Sequence, residues 1–83
     1  MNGRQSKLAD LVADAHRAML VLDNFARRDG SRAMTVAVRD GMRVYSVLID
    51  YRQTERMSGA EASLLQTAID LLRARLRFFG EVI

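Results

Sequence analysis

The segment from Ser58 to Gly80, SGAEASLLQTAIDLLRARLRFFG, combines a helical pattern with a start signal and a stop signal. Ser58 can accept a hydrogen bond from the N–H of Glu61, whose side chain can reach back, and this arrangement is a capping box. Gly80 can adopt the left-handed conformation that closes a helix. At about 100° per residue, one arc of about 180° holds the apolar side chains Leu64, Leu65, Ala68, Ile69, Leu71, Leu72, Leu76, Phe78 and Phe79. We therefore expect a core helix over 59–79 that packs against two neighbours.

The N-terminal part of the chain shows a second helical stripe. From Ser6 to Arg28 about three residues in seven are apolar, and polar residues lie opposite them. This pattern predicts a first helix over 6–28 with Ser6 as its N-cap. Leu20 and Val21 fall outside the apolar stripe.

A break and a longer, ambiguous segment follow. Gly30 can close the first helix and Ser31 can cap the next one. Within 32–56, the Asp40-Gly41 pair and the β-forming residues around it allow a β-hairpin. The polar residues nevertheless share one wedge of about 100° at helical spacing, which a strand would scatter over both faces. The segment is therefore predicted to be helical. Gly41 falls on its apolar face, where it either allows close approach of a neighbouring backbone or is a tolerated weak point in a long helix.

These segments predict an all-α, up-down-up bundle of three long antiparallel helices, over about 6–28, 32–56 and 59–79, because short connections make neighbouring helices antiparallel. A helix–β-hairpin–helix fold is the alternative. The 83 residues form one domain with a small core. The chain has no proline, and three of its five glycines lie near the proposed helix ends.

Composition argues against several classes of protein. The chain has no cysteine, so disulfides and thiolate metal sites are excluded, and it has no apolar run long enough to span a membrane. The segment MNGRQSKLAD lacks the apolar core of a signal peptide, and we expect a cytoplasmic protein. Twelve of its thirteen basic residues are arginine, as is typical of a GC-rich bacterial genome.

Residues that carry catalytic chemistry are scarce. His16 is the one histidine of the sequence, so a histidine-rich metal site cannot form. Asp10 and Asp14 share a helical face, but that face is polar and nothing there would separate their pKa values. The glycines are too far apart to form a phosphate-binding loop. We therefore expect a protein that is not an enzyme and uses no cofactor or metal.

Arg75 is a charged residue inside the apolar arc of the third helix. A buried guanidinium must be paired or reach water, because it cannot lose its proton. In an up-down-up bundle its level matches Asp23 on the first helix and Asp40 on the second. We expect Arg75 to reach solvent at the helix margin, to pair with one of these carboxylates, or to face a second subunit.

Apolar residues outside the expected core predict a surface for a protein partner. A small monomer cannot bury all of its apolar side chains, and we expect four of them to stay exposed: Leu20 and Val21 on the first helix, and Val36 and Val47 on the second. Together with Arg75 they form the predicted partner surface. We expect a small interaction module, similar in kind to adaptors, chaperones or regulators built from helices, that forms a homodimer or binds a helical partner.

Four arginines support an alternative hypothesis, a small basic regulator that binds nucleic acid. They are Arg39, Arg43, Arg73 and Arg77. The net charge is only +3, and Asp40, Asp50 and Asp70 interrupt every basic stripe, whereas a nucleic-acid-binding protein usually presents a continuous one. Binding to a protein is therefore favoured over binding to nucleic acid.

Overall fold

A computed structural model describes residues 3–25 and 30–83. They form three α-helices, α1 (Gly3–Leu22), α2 (Arg32–Thr54) and α3 (Gly59–Phe78), and each helix packs against the other two. Over these residues there is no strand. The predicted all-α three-helix bundle is confirmed. The hairpin alternative is wrong, because Asp40 and Gly41 lie inside α2.

The contacts between helices show the up-down-up arrangement. Arg52 of α2 donates a hydrogen bond to Gln66 of α3 at 2.8 Å. Earlier in α2, Tyr45 accepts one from Arg73, further along α3, at 3.0 Å. Residue numbers thus fall along α2 as they rise along α3, so the two helices are antiparallel. At the next level, Gly41 lies against Leu76 of α3 and against α1.

Two of the three helices begin where the sequence predicts. The Glu61 N–H donates to Ser58 Oγ at 3.2 Å, and the Ser58 N–H donates to Glu61 Oε1 at 2.9 Å, which confirms the capping box. Ser31 Oγ accepts from the Met34 N–H at 3.1 Å and caps α2. Gly30 precedes this cap with φ of 66°, the predicted left-handed conformation.

The C-terminal end of α3 is closed by backbone hydrogen bonds. Gly80 has φ of 96°, as expected for a residue that closes a helix. The Gly80 N–H donates to the Arg77 carbonyl at 3.0 Å, and the Glu81 N–H donates to the Leu76 carbonyl at 3.1 Å. Together these bonds form a Schellman motif. They turn the chain back, so that Ile83 packs against the core.

The bounds of α1 differ from the prediction at both ends. Ser6 lies inside the helix, so the prediction that it is the N-cap is wrong, because a cap residue has non-helical backbone angles. The helix ends at Leu22, and hydrogen bonds from the Asn24 and Phe25 N–H groups reach back only three residues. Such bonds tighten a last turn, where aspartate and asparagine are favoured. The predicted end at Arg28 lies outside the described residues.

The core is apolar and is shared by the three helices. Its members are Leu8, Leu11, Val12, Ala15, Met19, Leu22, Ala37, Leu48, Tyr51, Leu65, Ala68, Ile69, Leu72 and Leu76. Gly41 is also buried, at the level where the three helices meet. A Cβ atom built there would stand 2.9 Å from Leu76 Cδ2 and 3.5 Å from Leu22 Cδ1. Gly41 therefore makes room for two leucine side chains, whereas the two explanations from the sequence were a close neighbouring backbone and a tolerated weak point.

Candidate interaction surface

Four large apolar side chains remain exposed on the side of the bundle formed by α1 and α3. They are Leu20 on α1 and Leu64, Leu71 and Phe78 on α3, and between 47% and 66% of each residue's surface is exposed. We call this set the leucine face. The three α3 residues are spaced seven apart, so they form a line along the helix. Large apolar side chains that line up on a small protein are typical of a binding surface.

A second, smaller group lies on the side formed by α1 and α2. Val21, Val36 and Val47 are 41% to 53% exposed, and we call them the valine face. Val21 and Val36 line one groove between the two helices. Val47 is three turns further along α2, and the Asp40–Arg43 ion pair (3.4 Å) lies on the stripe between Val36 and Val47. The valine face is therefore interrupted by charge.

The predicted partner residues thus lie on two surfaces and not on one. Leu20 is turned about 100° from Val21 around α1. It lies on the side of α1 that carries Asp23, which pairs with α3. Leu20 is consequently separated from Val36 and Val47 and belongs with the exposed residues of α3.

Arg75 is paired within its own chain. Pairing with Asp23 was one of the arrangements predicted from the sequence. The Arg75 Nε lies 2.8 Å from Asp23 Oδ1 in the turn that follows α1. The two side chains are 48% and 47% exposed, so the pair sits at the helix margin in contact with water. Asp40, the other candidate partner, pairs with Arg43 instead. The Arg75–Asp23 pair lies at the edge of the leucine face and joins residues at the same level of α1 and α3.

The four arginines of the alternative hypothesis do not form one continuous patch. Arg43 lines the groove between α1 and α2, where Asp14 pairs with Arg17. Arg73 lies over the Tyr45 ring, with its Cζ 5.7 Å from the ring centre. The other two lie near the C-terminal turn: Arg77 Nε donates to the Ile83 carbonyl at 2.6 Å, and Arg39 lines a cleft with Phe79 and Glu81. Acidic groups and backbone carbonyls thus accompany these guanidinium groups.

Sequence reasoning placed Leu64, Leu71 and Phe78 in the core, and this assignment is wrong. The neighbouring helices cover one side of the α3 apolar arc, which carries Leu65, Ile69 and Leu72, and leave its opposite edge exposed. Phe78 makes an edge-to-face contact with Phe79, at 5.3 Å between ring centres, and it is Phe79 that packs against the core. The sequence did contain a signal for this exposure. The apolar arc is wider than two neighbouring helices can cover, and large residues repeat every seven positions at its edge.

Among the described residues, none of the buried side chains is polar or charged, and no cluster of three or more potential metal ligands occurs. His16 is exposed on α1. Within the same part of the chain, every helix is too short or too polar to cross a membrane.

Comparison with known proteins finds no family model, no curated protein and no solved structure that matches this chain.

Proposed function

We propose that this protein is a cytoplasmic interaction module, without enzymatic activity, that acts by binding protein and associates with itself through the leucine face. The observation that carries the proposal is the exposure of Leu20, Leu64, Leu71 and Phe78 on one side of a small bundle. Burying such side chains is favourable by roughly 25 cal/mol per Å². Three of them lie on the same helix, so a single partner helix can cover them together.

The leucine face is a better binding surface than the valine face. Charged residues are depleted from the centre of protein interfaces, because a buried charge loses its hydration. The Asp40–Arg43 pair interrupts the valine face between Val36 and Val47. On the leucine face the Arg75–Asp23 pair lies at the margin, where charges retain contact with water. An apolar centre with a charged rim is the usual anatomy of an interface.

Sedimentation equilibrium on three proteins tests the proposal. The wild type should be dimeric at micromolar concentration. Leu71→Glu places a charge in the middle of the leucine face, and we expect it to raise the dissociation constant by about 30-fold or more, equivalent to about 2 kcal/mol. Val47→Glu is the matched control, because residue 47 is 41% exposed and residue 71 is 47% exposed. The control should leave the dissociation constant unchanged.

Thermal unfolding of each variant separates a binding defect from a folding defect. Both sites are about half exposed, and surface substitutions of this kind usually change stability by less than about 0.5 kcal/mol. A wild type that remains monomeric at high micromolar concentration would refute the proposed self-association. So would equal weakening of the dimer by Leu71→Glu and Val47→Glu, since the leucine face would then have no special role.

A further inference from the structure

The exposed side of α3 carries large and small residues in strict alternation. Ala60, Leu64, Thr67, Leu71, Ala74 and Phe78 are all exposed and follow one another at steps of four and three residues. Steps of four and three define the seam along which one helix packs against a single other helix. A seam that alternates in size packs best when each large side chain faces a small one.

From this alternation we infer that two copies of the protein pair through α3 in an antiparallel arrangement, with a two-fold axis level with Ile69. This inference rests on the self-association proposed above and adds its geometry. Leu64 lies five residues before Ile69 and Ala74 five after it, so the axis brings each opposite the other. Thr67 and Leu71 are likewise two residues before and after. In a two-fold contact the same pairs recur on both sides of the axis.

The ends of the seam obey the same rule. Ala60 lies nine residues before Ile69 and Phe78 nine after it, so the largest side chain of the seam faces one of the smallest. A single position of the axis therefore places each of the three large residues of α3 opposite a small one. A parallel pair in register would instead place leucine beside leucine and alanine beside alanine, which alternates crowded layers with underfilled ones.

One pair of opposite charges beside the seam agrees with this arrangement. Glu61 lies eight residues before Ile69 and Arg75 six after it, both on the side of α3 that faces α1. In an antiparallel pair, residues on the same flank of the two helices meet across the interface. The Glu61 carboxylate of one copy consequently lies within two residues, about 3 Å along the helix, of the level of the Arg75 guanidinium of the other, which already pairs with the Asp23 carboxylate. Such complementarity fixes the register of an interface.

Leu20 extends the contact from α3 to α1. The Arg75–Asp23 pair shows which levels of these helices correspond: Arg17 lies six residues before Asp23, and Ile69 lies six residues before Arg75. The axis therefore passes α1 near Arg17, and Leu20 faces the turn of the second copy that contains Ala13. A standard interface buries about 800 Å² per partner, about a seventh of the 5550 Å² surface of this chain. One side of a bundle 42 Å long can supply this area.

Cross-linking of single cysteines tests the arrangement, since the chain has no cysteine of its own. Ser63, Asp70 and Arg77 are exposed and lie seven residues apart on one flank of the seam. In the antiparallel pair, the cysteine of Asp70→Cys in one copy lies next to the same cysteine in the second copy. Two Ser63→Cys residues are about 18 Å apart along the helix at 1.5 Å per residue. A short bis-maleimide should therefore cross-link Asp70→Cys with itself, leave Ser63→Cys uncoupled, and join Ser63→Cys to Arg77→Cys when the two variants are mixed.

The outcomes separate the geometry from the self-association itself. Each cysteine variant is first examined by sedimentation equilibrium, so that cross-linking is read only where a dimer forms. A Ser63→Cys dimer that cross-links with itself as efficiently as Asp70→Cys would overturn the antiparallel arrangement and leave the proposed self-association intact. A dimer in which neither Asp70→Cys nor the mixed pair reacts would also overturn it. A wild type that is monomeric would overturn both proposals.

Discussion

Replacement of Gly41 by alanine tests how tightly the three helices meet. The new Cβ atom would lie 2.9 Å from Leu76 Cδ2 and 3.5 Å from Leu22 Cδ1. Both leucines are fully buried, so neither methyl group can move into solvent. The structure must therefore shift by several tenths of an ångström to accept one additional carbon.

Two opposing free energies determine the result. Alanine is favoured over glycine inside a helix by about 1 kcal/mol. Overpacking of a well-packed core typically costs about 1–3 kcal/mol. We expect the cost to exceed the gain, with a net loss of up to about 2 kcal/mol in the free energy of unfolding. For a domain of this size each kcal/mol corresponds to about 4–8 °C in the melting temperature.

Urea denaturation followed by circular dichroism measures the difference, with two controls. Gly59→Ala has no atom within 4 Å of the new Cβ, so it should stabilise the protein by about 0.4–1 kcal/mol. Leu76→Val shortens the side chain that would clash with the new Cβ atom. Gly41→Ala should therefore reduce the free energy of unfolding by less in that background, which a double-mutant cycle measures. If Gly41→Ala stabilises the wild type by about 1 kcal/mol, the contact with Leu76 is not restrictive and this reasoning fails.

Four further predictions follow from the core, the ion pair, the proposed dimer axis and the distribution of the arginines. Leu72→Ala, at a fully buried position, should cost about 2–5 kcal/mol, and an unchanged melting temperature would contradict its place in the core. Arg75→Met should change the free energy of unfolding by less than about 1 kcal/mol, since the Asp23 pair is half exposed; a larger loss in urea denaturation would argue against this. Asp70→Asn should tighten the dimer in sedimentation equilibrium, because the two Asp70 carboxylates face each other near the proposed axis, and a weaker dimer would count against that axis. Titrations with duplex DNA and single-stranded RNA at physiological salt should show no sub-micromolar binding, and a steep salt dependence would favour the nucleic-acid hypothesis instead.

The local signals in the sequence were sufficient to predict the starts of α2 and α3. Ser31, Ser58 and Glu61 act through hydrogen bonds within one turn, so their roles follow from their neighbours in the chain. Gly30 and Gly80 were predictable for the same reason, since each supplies a backbone conformation that few other residues adopt.

Features that depend on the packing of whole helices were harder to predict. The width of the α3 apolar arc indicated two neighbours, but only their positions decide that Leu65 is buried and Leu64 exposed. The choice of Asp23 over Asp40 as the partner of Arg75 likewise depends on where α1 ends and turns. The separation of Leu20 from Val36 required the relative rotation of α1 and α2, which the sequence of neither helix contains.

The contact between Arg73 and Tyr45 also provides a spectroscopic signal for folding. The chain has no tryptophan, and both of its tyrosines, Tyr45 and Tyr51, lie on α2. Tyr45 lies beneath the Arg73 guanidinium of α3, and Tyr51 is buried in the core. Tyrosine fluorescence therefore reports the detachment of α2 from its neighbours, whereas far-ultraviolet circular dichroism reports the loss of all three helices. Coincident unfolding curves from the two signals would show that the bundle unfolds in one cooperative step.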